Sequence, residues 1–136
     1  MKSIAINDIV YSVGDEVYLI KDGVDLSKIR VGNYKEYITK CVITKITSSG
    51  YVYVKGTYNN FACEFKLNKD GSYTAHYPKR VLMSYNEEIE DILNRCEMEH
   101  SYIQNTFQRL KLIKSLSYTN SQKINAVLDE IGIDKV

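Results

Sequence analysis

The most constraining feature of this 136-residue chain is an apolar stripe between residues 89 and 114. Its members recur at alternating steps of four and three, and they are Ile89, Leu93, Cys96, His100, Ile103, Phe107, Leu110 and Lys114. An average spacing of 3.5 residues is typical of one face of an amphipathic helix. No Gly or Pro lies between Ser84 and Ser115. The sequence therefore predicts one helix of about 30 residues, roughly 45 Å long.

Capping signals bound this helix and a second one. Ser84 followed by Glu87 has the pattern of a capping box, in which hydroxyl and carboxylate satisfy amides of the first turn. Thr119 followed by Gln122 repeats the pattern. Gly132 predicts the end of the second helix, because glycine readily adopts the left-handed conformation that closes a helix. Residues 84–136 are thus predicted to form one long and one short α-helix.

Residues before this region form short runs rich in β-branched and aromatic side chains. A strand is predicted at Val17–Ile20, after a turn at residues 13–15. A hairpin is predicted from residues 37–46 and 51–54, around a Ser-Ser-Gly turn. A second hairpin is predicted from residues 60–67 and 72–77, around Asn-Lys-Asp-Gly. About five short antiparallel strands favour a small barrel, because closure removes exposed sheet edges.

These elements predict an α+β fold. An antiparallel small β-barrel would occupy residues 1–80, and a helical region at residues 84–136 would pack with it as one compact unit. Residues 22–36 lack periodicity and are predicted to form a long loop. A loop of that length in a small domain is often functional.

Composition places the chain among ordinary globular proteins. Hydrophobic residues make up 44% and charged residues 26%, with a net charge of +1. This balance argues against a protein that coats nucleic acid by bulk electrostatics, although it allows a local basic patch. The three cysteines lack paired spacing, and the N-terminus lacks the apolar run of a signal peptide. We expect reduced thiols, a cytoplasmic location and no membrane partner.

Three segments in a fixed order carry a resemblance to known proteins. They are the strand start Val13-Gly14-Asp15-Glu16-Val17, the hairpin from Ile43-Thr44-Lys45-Ile46 to Tyr51-Val52-Tyr53-Val54, and the stretch Leu82-Met83-Ser84-Tyr85-Asn86-Glu87-Glu88 before the short final helix. With this order the chain resembles small SH3-like β-barrel proteins with C-terminal helices from phages and prophages of low-GC Gram-positive bacteria. The resemblance implies an SH3-like barrel and a phage accessory protein of a size that often counters host defence. It carries over no functional residue.

Residues capable of catalysis do not form a recognisable set. Cys96 and His100 lie one helical turn apart, but an orienting third group and an oxyanion site are missing. His76 has no Cys or carboxylate at metal-binding spacing. The glycines never cluster as a phosphate-binding loop. We therefore expect a non-enzymatic binding protein with no catalytic residues, metal or cofactor.

Basic and aromatic residues offer a candidate anion site. The predicted ligand-binding residues are Lys79, Arg80, Tyr85, Arg95, Phe107 and Arg109. Guanidinium groups can hold phosphate, and aromatic rings can stack a base. The simpler interpretation of Arg109 is a solvated charge that complements the C-terminal end of a helix.

The stripe itself has two interpretations. It packs on the barrel as core, or it pairs with a second copy in a homodimer. The predicted interface consists of Ile89, Ile92, Leu93, Cys96, His100, Ile103, Phe107 and Leu110. In an antiparallel pair centred near His100 and Tyr102, Glu90 would face Lys111 of the partner. A dimer cleft beside Arg95 would then be available to a ligand.

Together these features predict a phage-encoded inhibitor of a host defence system, working in the host cytoplasm. Its partner would be a small nucleotide signal that it sequesters, or a host protein that the barrel and residues 22–35 cover. The alternative is a single-stranded nucleic-acid-binding regulator, because exposed tyrosines on small barrels can stack bases.

Overall fold

The computed structural model describes residues 2–58 and 61–133 and shows an α+β chain. Its strands are β1 (Ser3–Ile6), β2 (Ile9–Ser12), β3 (Glu16–Lys21), β4 (Ile38–Ile46), β5 (Val52–Tyr58), β6 (Phe61–Leu67), β7 (Ser72–Tyr73) and β8 (Arg80–Ser84). Its α-helices are α1 (Tyr34–Tyr37), α2 (Glu87–Lys111) and α3 (Tyr118–Glu130), and a short 3-10 helix lies at Leu26–Lys28. Contacts divide the chain into two units, residues 1–99 and residues 100–136, and α2 contributes to both.

Six of the strands form one antiparallel sheet in the order β6-β5-β4-β3-β8-β7, which curls strongly into a half-barrel. Strands β1 and β2 form a separate hairpin. The α+β class and the antiparallel sheet are confirmed, whereas a five-stranded SH3-like barrel is not. The sheet keeps two edges, β6 and β7.

The predicted strand at residues 17–20 and the first predicted hairpin are both present. Strands β4 and β5 pair with Ile43 opposite Val54, and the register shifts between Ile43 and Lys45. This irregularity explains why Ile43 and Ile46, three residues apart, are buried in the same cluster. A regular strand would direct them to opposite faces.

The second predicted hairpin is wrong beyond its turn. Gly71 N donates to Asn68 O at 3.0 Å, so the tight turn forms. The next two residues, Ser72 and Tyr73, then pair with β8 rather than with β6. Leu82 N also donates to Gly71 O at 2.9 Å, and this bond fixes the chain against β8. Strand β8 and the hairpin of β1 and β2 were not predicted.

The centre of the sheet is covered on both faces. In β3, Val17 and Leu19 belong to one buried cluster, and Tyr18 and Ile20 belong to another. A strand that is buried on both faces has a nearly continuous run of apolar residues, and Val17–Ile20 are such a run. The first cluster, the sheet cluster, is Ile6, Tyr11, Val17, Leu19, Cys41, Ile43, Ile46, Val52, Val54, Phe65 and Leu67. The second, the helix cluster, is Tyr18, Ile20, Ile29, Tyr34, Ile38, Ile89, Ile92, Leu93 and Cys96.

The N-terminal part of α2 is held on the sheet by a partly buried polar contact. The Tyr18 hydroxyl donates to Glu90 Oε1 at 2.7 Å, and Lys40 Nζ lies 2.8 Å from the same oxygen. Asn86 caps the helix, because Asn86 Oδ1 accepts from Ile89 N at 3.1 Å. The capping box predicted at Ser84 is wrong, since Ser84 is the last residue of β8.

The predicted loop at residues 22–36 contains the 3-10 helix and the start of α1. Ile29 and Tyr34 are buried in the helix cluster, so this loop is partly a structural element. Ser117 Oγ caps α3 by accepting from Asn120 N at 3.1 Å, and the box predicted at Thr119 is wrong. Gly132 adopts a φ of 85° after the helix, which confirms the predicted stop.

Candidate functional site

A cavity of about 280 Å³ lies beside the two edges of the curled sheet. It is lined by Cys63, Glu64 and Phe65 of β6, Tyr73 of β7, His76, Tyr77 and Arg80, the first residue of β8. The edges come together here because β7 follows β6 after one tight turn but pairs with β8. The cavity therefore occupies the place where a closed barrel would have continued its ladder of hydrogen bonds.

Arg80 is the charged residue of the cavity wall with the deepest burial. Only 6% of it is exposed, and its Nη1 donates to Thr39 Oγ1 at 3.0 Å. Tyr73 lies directly opposite Arg80 in the register of β7 and β8. A guanidinium in such a low-dielectric position attracts an anion more strongly than a solvated one does.

Aromatic rings form much of the remaining wall. The Phe65 and Tyr73 rings meet edge to face with centroids 5.1 Å apart, and the Tyr73 and His76 centroids are 6.1 Å apart. Tyr77 lines the cavity while its side chain is 96% exposed. These rings offer flat surfaces for a planar ligand.

The thiols near the site are not arranged for nucleophilic catalysis. Burial raises the pKa of the Cys41 thiol to about 12, against the opposing effects of a backbone hydrogen bond with Leu19 and of the Arg80 charge. Cys41 is therefore protonated at neutral pH and packs as a small apolar side chain. Cys63 donates weakly to Phe61 O, with its sulfur 3.6 Å from that oxygen. Among residues 2–58 and 61–133, no group of three or more His, Cys, Asp or Glu side chains is placed to hold a metal.

The structure does not assemble the six predicted ligand-binding residues into one site. Arg80 lines the cavity, and its neighbour Lys79 is exposed, with Nζ 3.8 Å from Asp22 Oδ2. Tyr85 lines a different recess of about 420 Å³ and stacks on Tyr18, with ring centroids 6.4 Å apart. Only Arg80 of these three contributes to the cavity wall.

The other three predicted ligand residues are placed elsewhere in the chain. Arg95 Nη2 donates to Ile29 O at 3.3 Å, so this guanidinium supports the segment before α1. Phe107 and Arg109 belong to the second unit. Arg95 does not line the cavity, and its role as a ligand contact stays a prediction.

Half of the predicted dimer interface is buried inside the chain. Ile89 and Cys96 are fully buried, and Ile92 and Leu93 are nearly so, all within the helix cluster. The dimer prediction is wrong for these four residues, because their own sheet already covers them. His100 is half-buried, and the remaining predicted residues, Ile103, Phe107 and Leu110, are exposed.

A second feature lies on β4, β5 and β6, on the face of the sheet opposite the sheet cluster. Lys45, Tyr53 and Lys66 are paired in a row across the three strands. Lys66 Nζ lies 4.5 Å from the ring centroid of Tyr51, and Lys45 Nζ lies 5.5 Å from that of Tyr53. Lys69 Nζ is 5.4 Å from the Tyr51 centroid. These five residues are called the lysine–tyrosine patch below.

The aromatic wall of the cavity was missed at the sequence level. The predicted hairpin of residues 60–67 and 72–77 places Tyr73, His76 and Tyr77 on a strand opposite β6. Pro78 is the signal that could have limited this strand. It lacks a backbone N–H and therefore disfavours a long ladder of hydrogen bonds through residues 72–77. Their juxtaposition with Arg80 depends on the pairing of β7 with β8.

Comparison with known proteins found no match: no protein-family model fits the sequence, and no curated protein or solved structure is similar to it. Across the parts of the chain that the structure describes, no helix combines the length and apolar character needed to cross a bilayer.

Proposed function

We propose that the chain is a non-enzymatic binding protein that holds a small, planar, anionic ligand of the nucleotide type in the cavity. The observation that carries this proposal is the buried Arg80 in a wall of aromatic rings. The guanidinium would contact the phosphate, and Tyr73 and Tyr77 would face the base. Glu64, exposed at the same wall, would accept a hydrogen bond from a ribose hydroxyl or an amino group.

The size of the cavity supports a small ligand. Its volume of about 280 Å³ is near the lower end of ligand sites, which begin at about 300 Å³. A mononucleotide, or one end of a larger nucleotide, is the class that combines this size with one phosphate contact and a flat ring. Recognition by preformed rings and one buried cation requires no chemical step from the protein.

The biological setting that we propose rests on the resemblance to SH3-like phage proteins. In that setting the protein is a phage-encoded inhibitor that acts in the host cytoplasm by sequestering a nucleotide signal of host defence. The curled antiparallel sheet supports an SH3-like relationship only at the level of sheet class.

The test is the melting temperature of the full chain with AMP, cyclic AMP and ADP-ribose. A ligand present at about 100 times its dissociation constant stabilises a folded protein by about 2.7 kcal/mol. We expect at least one probe to raise the melting temperature of the wild type. Tyr77→Ala should reduce that increase and leave the ligand-free melting temperature unchanged, because Tyr77 is almost fully exposed.

Tyr118→Ala is the matched control, since Tyr118 is 80% exposed in the second unit and does not line the cavity. It should respond to the probes as the wild type does. If no probe changes the melting temperature, or if Tyr77→Ala responds like the control, the nucleotide proposal is wrong. A protein partner would then take its place.

The lysine–tyrosine patch favours a second candidate function, binding of single-stranded nucleic acid. Its rings can stack bases, and its lysines can contact phosphates along a strand. The net charge of +1 does not oppose this, because three lysines are concentrated beside two rings. The patch thus provides the local basic surface that the overall composition allowed.

Fluorescence anisotropy with a labelled oligothymidine at two salt concentrations tests the second candidate. Binding should weaken steeply as salt increases, because phosphate contacts release counterions. Tyr51→Ala should cost about 1–3 kcal/mol of binding free energy through lost stacking. Lys66→Ala should reduce the salt dependence, whereas Lys123→Ala, an exposed lysine of α3, should not. Absence of binding at low salt would exclude this function.

A further inference from the structure

We propose that the exposed half of α2 pairs with the same segment of a second copy in an antiparallel, two-fold arrangement. The stripe changes character along the helix. Its N-terminal members, from Ile89 to Cys96, are buried against the sheet of their own chain. Its C-terminal members, Ile103, Phe107 and Leu110, are exposed by 39%, 54% and 50%. The same periodic pattern therefore has an intrachain partner in one half only.

The second unit has no core of its own. None of its described residues, 100–133, is buried. It spans residues 100–136, and chains below about 40 residues usually need a disulfide, a metal or oligomerisation to bury enough apolar surface. In the described residues the structure provides no disulfide and no metal cluster. A second copy of the chain would cover this surface.

The described part of the second unit exposes apolar side chains on α2, on α3 and between them. The large exposed side chains of the unit are Tyr102, Ile103, Phe107, Leu110, Leu112, Ile113, Leu116, Tyr118, Val127, Ile131 and Ile133. With full side chains of 150–250 Å² for the aromatics and somewhat less for the aliphatics, they present on the order of 1,000 Å². Three of these eleven side chains, Ile103, Phe107 and Leu110, lie on the face of α2 that would pair.

Charge along the helix selects a second copy and its direction. Glu97 precedes the exposed apolar segment, and Lys111 follows it, both at the same flanking position of the 3.5-residue repeat. In an antiparallel pair centred near Asn105, Ile103 faces Phe107 of the partner subunit. Glu97 then faces Lys111 of the partner subunit, twice by symmetry. A parallel pair would place the acidic ends together and the basic ends together.

This register differs from the one that the whole stripe predicts. A pair centred near His100 and Tyr102 would need Glu90 to reach Lys111 of the partner. Glu90 is instead bound to Tyr18 and Lys40 of its own chain. The pairing segment therefore moves toward the C-terminus of α2, where the side chains are exposed.

Light scattering after size exclusion tests the proposal on the full chain at micromolar concentration. The wild type should have twice the mass of one 15.7 kDa chain. Phe107→Glu should raise the dissociation constant at least about tenfold, because it places a charge at the centre of an apolar interface. Met98→Glu is the matched control, since Met98 is 69% exposed and lies on the opposite side of the helix.

Circular dichroism should show unchanged helix content in both variants, because neither side chain is buried. A monomeric wild type would overturn the proposal. So would a Phe107→Glu variant that is folded and as dimeric as the control.

Charge reversal tests the direction and the register. Glu97→Lys alone should weaken the dimer, because each introduced lysine faces Lys111 of the partner subunit and the two-fold axis makes two such like-charge pairs. The double variant Glu97→Lys with Lys111→Glu should restore the mass of the wild type, since opposite charges face each other again. If the double variant is as weak as the single one, the antiparallel register is wrong.

Discussion

At the residue scale, Gly56 shows how closely two strands of the sheet approach each other. It lies opposite Cys41 in the register of β4 and β5. A Cβ atom at this position would lie 2.7 Å from Cys41 Sγ and 2.8 Å from Lys40 O. The sulfur is buried and neutral, and the carbonyl belongs to the backbone, so neither atom can move away cheaply.

Gly56→Ala should therefore lower the free energy of unfolding by about 1–3 kcal/mol, as expected for overpacking. Urea denaturation at neutral pH measures this change. Gly32→Ala is the matched control, because a Cβ at Gly32 would meet no atom within 4 Å. If Gly56→Ala and Gly32→Ala have the same free energy of unfolding, the close approach of β4 and β5 at Gly56 is contradicted.

At the element scale, one carboxylate fixes the N-terminal part of α2 on the sheet. The Lys40 ammonium lowers the pKa of Glu90 most, and the Tyr18 hydroxyl lowers it further. A carboxyl group with a lowered pKa in the folded state stabilises the fold above its ordinary pKa, and this contribution is lost as the pH falls through the folded pKa. The helix contact should therefore weaken in acid.

Glu90→Gln should lower the free energy of unfolding by about 1 kcal/mol at neutral pH. The change is small because the Lys40 side chain is 44% exposed. As the pH is lowered from about 7 to about 3, the free energy of unfolding of the Glu90→Gln variant should also fall less than that of the wild type. Thermal unfolding across this range measures both effects. Glu88→Gln, an exposed neighbour in the same helix, should keep the acid dependence of the wild type. An identical acid dependence in Glu90→Gln would refute the role of this contact.

At the scale of the whole molecule, local patterns predicted most elements and few of their partners. The helix at residues 87–111 follows from periodicity, and the hairpin of β4 and β5 follows from two β-branched runs around a turn. The pairing of β7 with β8 does not follow from pattern, since a tight turn is compatible with pairing on either side. The pairing is decided in the folded chain by β8. Val81 and Arg80 lie opposite Ser72 and Tyr73, and Leu82 N donates to Gly71 O.

The candidate site was predictable only in part. Arg80 was identified from its charge beside aromatic residues, and it does line the cavity. Arg95 has the same charge, yet it donates to the Ile29 carbonyl and does not line the cavity. The type of a side chain gives its possible partners, and only the path of the backbone determines which partner is within reach.

The sequence by itself determined the apolar stripe and its helical period, because periodicity is a local property, whereas α2 with its 25 residues is shorter than the predicted helix of about 30. Tertiary structure alone decided that Ile89 to Cys96 are core and that Ile103 to Leu110 are exposed. The physical reason is that periodicity records which face of a helix is apolar, whereas burial depends on what lies opposite that face. For the first half of the stripe this is the helix cluster of the same chain, and for the second half we propose a second copy.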